Sequence, residues 1–168
     1  GKALESLKVF RLIREGNELP LAADVLELYE GINPKQVMSV QCGSTMITCP
    51  TKWMNRDLRS LRPTRMADFA PDGEKKTTAY VLRLGSFTLV GVQPEIDGIT
   101  SKEIAFGVPG ENVAVCVMVN GGDKCMPERE AYELVKYQCL NSPFMPGAAE
   151  ALRDAAIGLV NQLKEGNQ

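Results

Sequence analysis

Histidine is absent from all 168 residues, and that gap closes several routes to catalysis. Histidine is the commonest general base near neutral pH and a frequent zinc ligand, so Ser–His–Asp and Cys–His hydrolysis are excluded within this chain. Cysteine is sparse and irregular. Cys42, Cys49, Cys116, Cys125 and Cys139 are odd in number and form no C-x(2–4)-C pair, which argues against a disulfide framework and against a zinc site built from thiolates. Phosphate-cradling loops are missing too: the glycines of VNGGDK (119–124) and GVPG (107–110) match neither G-x-x-x-x-G-K-[ST] nor G-x-G-x-x-G. Glu95, Asp97 and Glu103, around the DGIT turn, do not have the spacing of a calcium loop and read as a solvated turn. No cofactor and no metal is expected.

No apolar run approaches the roughly 20 residues needed to span a bilayer, and the N-terminus lacks the charged, apolar and small-residue order of a signal peptide. A chain that begins Gly1-Lys2 without methionine is expected to be a processed product or a piece of a longer protein. Unpaired cysteines favour reduced thiols in a cytoplasm. A secreted or virion-associated setting, with a Cys42–Cys49 disulfide across a hairpin, stays open.

What is present is an ordinary globular composition, 44% apolar and 24% charged, enough for one domain over 1–168 to bury a core. Ala3, Leu4, Leu7, Phe10 and Ile13 recur at helical spacing, with Gly16 to stop the helix. Pro20 suits the first turn of a second helix carrying Leu21, Val25, Leu28 and Ile32. The period then shortens. Runs at 37–41 and 45–49, split by Cys42-Gly43-Ser44, predict one hairpin, and runs at 77–84 and 87–92, split by Gly85-Ser86, predict a second. VAVCVMV (113–119) is apolar throughout and predicts a central strand covered on both faces. Pro127 starts a helix to about Leu140, and a last helix is expected over about 147–164, leaving 62–76 and 93–111 irregular. The sum is an α+β domain, an antiparallel sheet of about five strands flanked by an N-terminal and a C-terminal helix pair.

The sharpest chemical feature is TKWMNRDLRSLRPTRM (51–66). Residues 52–76 hold seven basic and four acidic side chains, a net +3 within a chain at −2. On a helix over 51–61, Lys52, Arg56 and Arg59 share a face with Trp53 beside them, and Arg62 and Arg65 continue past Pro63. Three readings compete for Lys52, Trp53, Arg56, Arg59, Arg62 and Arg65. They form a solvated face, a protein interface that uses the arginine fork, or a groove for single-stranded nucleic acid in which Trp53 stacks on a base. A pI near 5.3 weighs against the last. Cys125, just ahead of Pro127, is the best-placed nucleophile, yet no base accompanies it. The reading is therefore a non-catalytic interaction or assembly module that self-associates or binds a protein partner. A nucleic-acid or polyanion binder is the alternative.

Overall fold

In a computed structural model of the chain, residues 20–31, 39–53, 69–134 and 136–166 are described. The chain divides into two compact units, Gly1–Gln36 and Val37–Gln168. In the first, helix α1 spans Pro20–Glu30 and closes with the Gly31 amide donating to the Glu27 carbonyl at 3.1 Å. Val25 and Leu28 are 48% and 71% exposed, so these two members of the expected stripe are not buried, whereas Leu26 is. The helix expected at 3–13 lies outside the described residues.

The second unit is built on a mixed sheet of four strands. β1 (Val40–Lys52) pairs antiparallel with β2 (Pro71–Leu84), and β2 with β3 (Phe87–Val92). β3 pairs in parallel with β5 (Asn112–Cys116). Glu95–Ile96 (β4) and Cys125–Met126 (β6) continue these two strands as a short parallel ladder. Helix α2 (Gly98–Phe106) makes the crossover that a parallel pair requires. Two short helices, α3 (Arg129–Glu133) and α4 (Tyr137–Asn141), precede the long α5 (Ala148–Glu165).

The α+β class holds, and several details of the expectation do not. The hairpin turning at Gly85-Ser86 forms as expected, with Gly85 at φ +63°, a conformation glycine takes without strain. Cys42-Gly43-Ser44 does not turn: it lies inside β1, Gly43 facing Val81. A Cβ on Gly43 would stand 3.2 Å from Leu159 Cδ1, so this glycine exists to let α5 lie on the strand. Cys42 and Cys49 share one strand and point to opposite faces, and all five thiols are unpaired. β5 is an edge strand ending at Cys116, and Val117 and Met118 beyond it are 39% and 59% exposed. The apolar run had suggested a centre. The 93–111 stretch holds α2, whose start is capped by Asp97 Oδ1 accepting from the Thr100 amide at 2.8 Å. A single helix from Pro127 to Leu140 is replaced by α3 and α4, because the chain is extended at Lys136 (φ −64°, ψ 159°). The sheet is thus four-stranded and mixed rather than five-stranded and antiparallel, and the C-terminal helix pair is one long helix with two short ones before it.

Strand alternation sorts the side chains. Ile47 and Cys49 of β1, Ala79 and Val81 of β2, Val90 and Val92 of β3, and Val113 and Val115 of β5 face the core. There they meet Ile104 of α2 and Leu152, Ala156, Leu159 and Val160 of α5. At one end of this face a polar cluster closes the layer. Arg83 donates to Gln41 Oε1 and Glu111 Oε1, each at 2.7 Å, and Thr88 donates to Glu111 Oε2 at 3.0 Å. Gln41 reaches the Leu163 carbonyl at 2.8 Å and so ties the end of α5 to the sheet.

Val117→Asp adds a charge at an exposed position and is expected to cost less than about 1 kcal/mol, whereas Val90→Asp, at a site with 0% exposure, is expected to cost several. Urea unfolding of the two variants checks the order. Equal loss in both would place the strand after all in the middle of the core.

Candidate functional site

β3 and β5 run in parallel and end side by side, and the chain leaves both at the same edge. In open sheets that carboxyl edge is where crevices form. Here the crevice has a volume of about 220 Å3, and its walls include Glu95, Asp97, Cys125, Glu128 and Lys136. The loop from β5 into β6 shapes it. Met118, Asn120 and Lys124 all have positive φ (58°, 55° and 61°), a region that costs a non-glycine residue on the order of 1 kcal/mol each. Three backbone contacts hold the loop against β3 and β4: Val119 N to Val92 O at 2.9 Å, Asp123 N to Gln93 O at 3.4 Å, and Glu95 N to Lys124 O at 2.9 Å. The Asp123 carboxylate adds an ion pair to Lys75 at 2.8 Å.

The product of this geometry is a close pair, Cys125 Sγ donating to Glu95 Oε2 at 3.5 Å. Burial pushes the Cys125 thiol upward, and the hydrogen bond to Glu95 and its charge push further, so at neutral pH the sulfur holds its proton. That opposes a thiolate nucleophile. Asp97 is a structural tie: while Oδ1 caps α2, Oδ2 accepts from the Glu128 amide at 3.2 Å. Glu128 in turn pairs with Lys136 at 3.5 Å. Glu103 turns away to Arg153 at 2.7 Å, so Glu95, Asp97 and Glu103 do not converge. No group of three acidic or thiol side chains able to hold a metal occurs among the described residues.

The arginine-rich segment divides differently. Arg56, Arg59, Arg62 and Arg65 lie outside the described residues. Thr51 and Lys52 belong to β1, so the helix expected over 51–61 does not begin where it was placed. Trp53 is 55% exposed but Lys52 only 4%. The pairing slips between Pro50 and Lys52, and this bulge turns Lys52 inward. Its ammonium sits 4.9 Å from the centre of the Phe69 ring, which meets Tyr132 edge-on at 5.4 Å. Tyr132 donates to the Phe144 carbonyl at 2.8 Å. Lys52 is therefore part of a small second core and is not available to an oligonucleotide.

The second surface of interest is the face of the sheet turned away from α5. In register across it stand Val40, Cys42 and Met46 of β1, Tyr80, Leu82 and Leu84 of β2, Phe87 and Leu89 of β3, and Ala114 and Cys116 of β5, with Ser44, Thr48, Lys76, Thr78 and Asn112 as the polar positions among and beside them. Val40, Met46, Leu82 and Phe87 are 65%, 61%, 36% and 41% exposed. Within this unit α2 and α5 pack on the opposite face. AYVLRL (79–84) places apolar residues on both faces of β2, interrupted by Arg83. Nothing local in the sequence signalled the Glu95–Cys125 pair, whose members are 30 residues apart.

No family model and no curated protein matches the chain. Among solved structures, neutral ceramidase from Pseudomonas aeruginosa is similar over 84% of this chain and 32% of its own, with TM-score 0.57 and 12% identity. A ceramidase complexed with C2 is similar over 51% of this chain and 15% of its own, with TM-score 0.44 and 18% identity. The likeness to the first is one of fold, and this chain spans about a third of that protein's length.

Two outcomes follow. Burial lowers the Lys52 amine from its usual 10.5 to about 8, with the nearby Cys139 pulling it partly back up. Between pH 8 and 10.5 the unfolded chain holds a proton that the folded chain has released, so this group makes stability rise with pH across that window and imposes a constant penalty below it. Lys52→Met is expected to stabilise at pH 7 by on the order of 1–2 kcal/mol, with the advantage vanishing by pH 10.5. Denaturant melts at both pH values check this; an unchanged gap at pH 10.5 refutes it. Glu95→Gln removes the charge that holds up the Cys125 thiol, so maleimide labelling of Cys125 at pH 8 is expected to speed up several-fold, with labelling at Cys42 as the internal reference.

Proposed function

We propose that this chain is a non-catalytic assembly module, a body that docks through the outer face of its sheet and forms one layer of a larger whole. The observation that carries this reading is the apolar outer face itself. A sheet already covered by α5 and α2 on one side has no need of Leu82, Phe87 and Met46 on the other, and antiparallel strands that face water normally alternate apolar with polar. The fold likeness to about a third of a ceramidase chain supports the same reading, since a layer of a larger body must be sticky where it meets the rest. Loss of basicity at the crevice supports the non-catalytic part. Histidine is absent, and the Cys125 thiol is held protonated first by its burial and then by Glu95 beside it.

A second reading is favoured by the crevice: in a completed assembly, Glu95 and Cys125 at the carboxyl ends of the parallel strands line a ceramidase-like site to which this chain contributes one wall.

The test uses the purified chain with a hydrophobic dye and a fluorescent ceramide. The folded protein is expected to bind the dye, to lose that binding in Met46→Glu/Leu82→Glu with cooperative unfolding retained, and to leave the ceramide intact. Hydrolysis that disappears in Glu95→Gln would overturn the non-catalytic module. Absence of dye binding to the wild type would remove the docking face.

A further inference from the structure

The loop from β5 into β6 carries a chemical feature that neither the crevice nor the outer face of the sheet uses. Asn120 is followed by Gly121, and of the chain's asparagines it alone precedes a glycine. In such a pair the glycine nitrogen is placed to close a five-membered ring onto the asparagine side-chain carbon, and there is no Cβ on the glycine to obstruct it. The fold leaves this reaction open. Both residues are exposed. Gly121 stands at φ +147°, and among the described residues neither its amide nor the Asn120 side chain makes a hydrogen bond. The Asn120 carbonyl accepts a long contact from Gln93 Nε2 at 3.4 Å, so the peptide plane between the two residues is weakly held and can turn. The other asparagines of this unit are tied more firmly. Asn141 Nδ2 donates to the Tyr137 carbonyl at 3.1 Å and precedes the fully buried Ser142, Asn161 lies within α5, and Asn112 is paired with Phe87 in the sheet.

We propose that Asn120 is a self-modification site, converted by water alone into a mixture of isoaspartate and aspartate, and that the isoaspartyl form loosens the crevice. The modification is independent of the assembly reading. In the first step the Gly121 nitrogen gives its proton to hydroxide and bonds to Asn120 Cγ. The Cγ–Nδ2 bond breaks, the departing nitrogen takes a proton from water, and ammonia leaves a closed succinimide. Water then opens the ring at one of its two carbonyls. Opening at Cγ gives ordinary aspartate; opening at the main-chain carbonyl routes the backbone through Cγ and frees an α-carboxylate, the isoaspartyl form. The exchange is one water in and one ammonia out, with no oxidation or reduction.

Isoaspartate adds a methylene to the main chain and a negative charge to the loop. It does so between two anchors, Val119 N to Val92 O at 2.9 Å and Asp123 N to Gln93 O at 3.4 Å, in a loop that already holds Met118 and Lys124 at positive φ. Cys125 stands opposite Glu95 at the end of this loop, so a longer main chain here releases the thiol from its carboxylate partner.

The test incubates the full chain at pH 9 and 37 °C, with and without urea, and resolves asparagine, aspartate and isoaspartate at each position by peptide mapping. In the folded protein Asn120 is expected to convert at least fivefold faster than Asn112, Asn141 and Asn161, and within about fivefold of its rate in urea. Conversion no faster than at those three, or slower than in urea by more than fivefold, overturns the site. A maleimide pulse then compares the separated forms. The isoaspartyl protein is expected to label Cys125 at least threefold faster than the unmodified protein, with Cys42 unchanged, while Asn120→Asp, which has the charge without the added methylene, labels as the wild type does. Equal labelling of Cys125 in the isoaspartyl and unmodified forms overturns the link to the crevice. Asn120→Gln, which must close a larger ring, is expected to keep its initial Cys125 labelling rate through the incubation; a rise there as well marks general loosening and overturns that link.

Discussion

The second unit depends on α5 lying flat against the sheet, and that contact depends on Gly43. Leu159 and Leu163 occupy the space a side chain at 43 would need, so the helix axis comes close enough for Leu152, Ala156 and Val160 to reach 0% exposure against β1 and β2. The alanines of α5 have the same purpose on the helix side. Small residues at the contact bring the layers together, and larger ones at the flanks fill what remains. A second close approach lets α2 join the layer: a Cβ on Gly107 would sit 2.4 Å from Ile157 Cδ1. With both helices on one face, the crossover between β3 and β5 is fixed on that side. Neither of these two helices lies on the other face.

These same glycines mark where local reading of the sequence fails. Cys42-Gly43-Ser44 has the composition of a turn, and the residues on each side have the composition of strands, so a hairpin follows from local rules. The glycine is there for a partner 116 or more positions later in the chain, which no local pattern encodes. Gly85-Ser86 has the same look and is a turn, because its φ of +63° is needed to reverse the chain. The run at 113–119 misleads for a related reason. Its apolar residues serve both faces of an edge strand and then a loop that folds back over Gly91, a use that reads in sequence as a central position. Lys52 looked like the first tooth of a basic comb until the bulge beside Pro50 turned it inward. The long amphipathic helix over 148–165 and the hairpin at 77–92 were legible because each is decided by its own periodicity.

The crevice shows how strain and position combine. Parallel strands end together, so β4 and β6 bring residues 30 positions apart into register, Glu95 opposite Cys125. The loop reaches β6 only by placing three non-glycine residues at positive φ, and the energy for this comes from its backbone contacts to β3 and β4 and from the Lys75–Asp123 pair. Backbone held in sparsely populated regions is common where a site needs exact placement. What is placed here is an acceptor and a protonated donor, with Lys136 and Glu128 paired nearby. The arrangement is suited to holding and orienting a polar group.

A single apolar face is enough to fold a sheet domain; on the assembly reading proposed above, a second one is accounted for by a surface that meets it. In water, Leu82 and Phe87, at 36% and 41% exposure, each forgo part of a burial worth about 1.5–3 kcal/mol when complete, and β1 is an edge strand beside them. A chain selected only to be a stable monomer has polar residues in those places. The burial pattern of β2 is the clearest case. Ala79 and Val81 serve the core that α5 covers, while Tyr80, Leu82 and Leu84 alternate with them on the opposite face, Leu82 exposed and the other two half-buried. On the assembly reading proposed above, the layer that completes this body is as apolar as the face it covers.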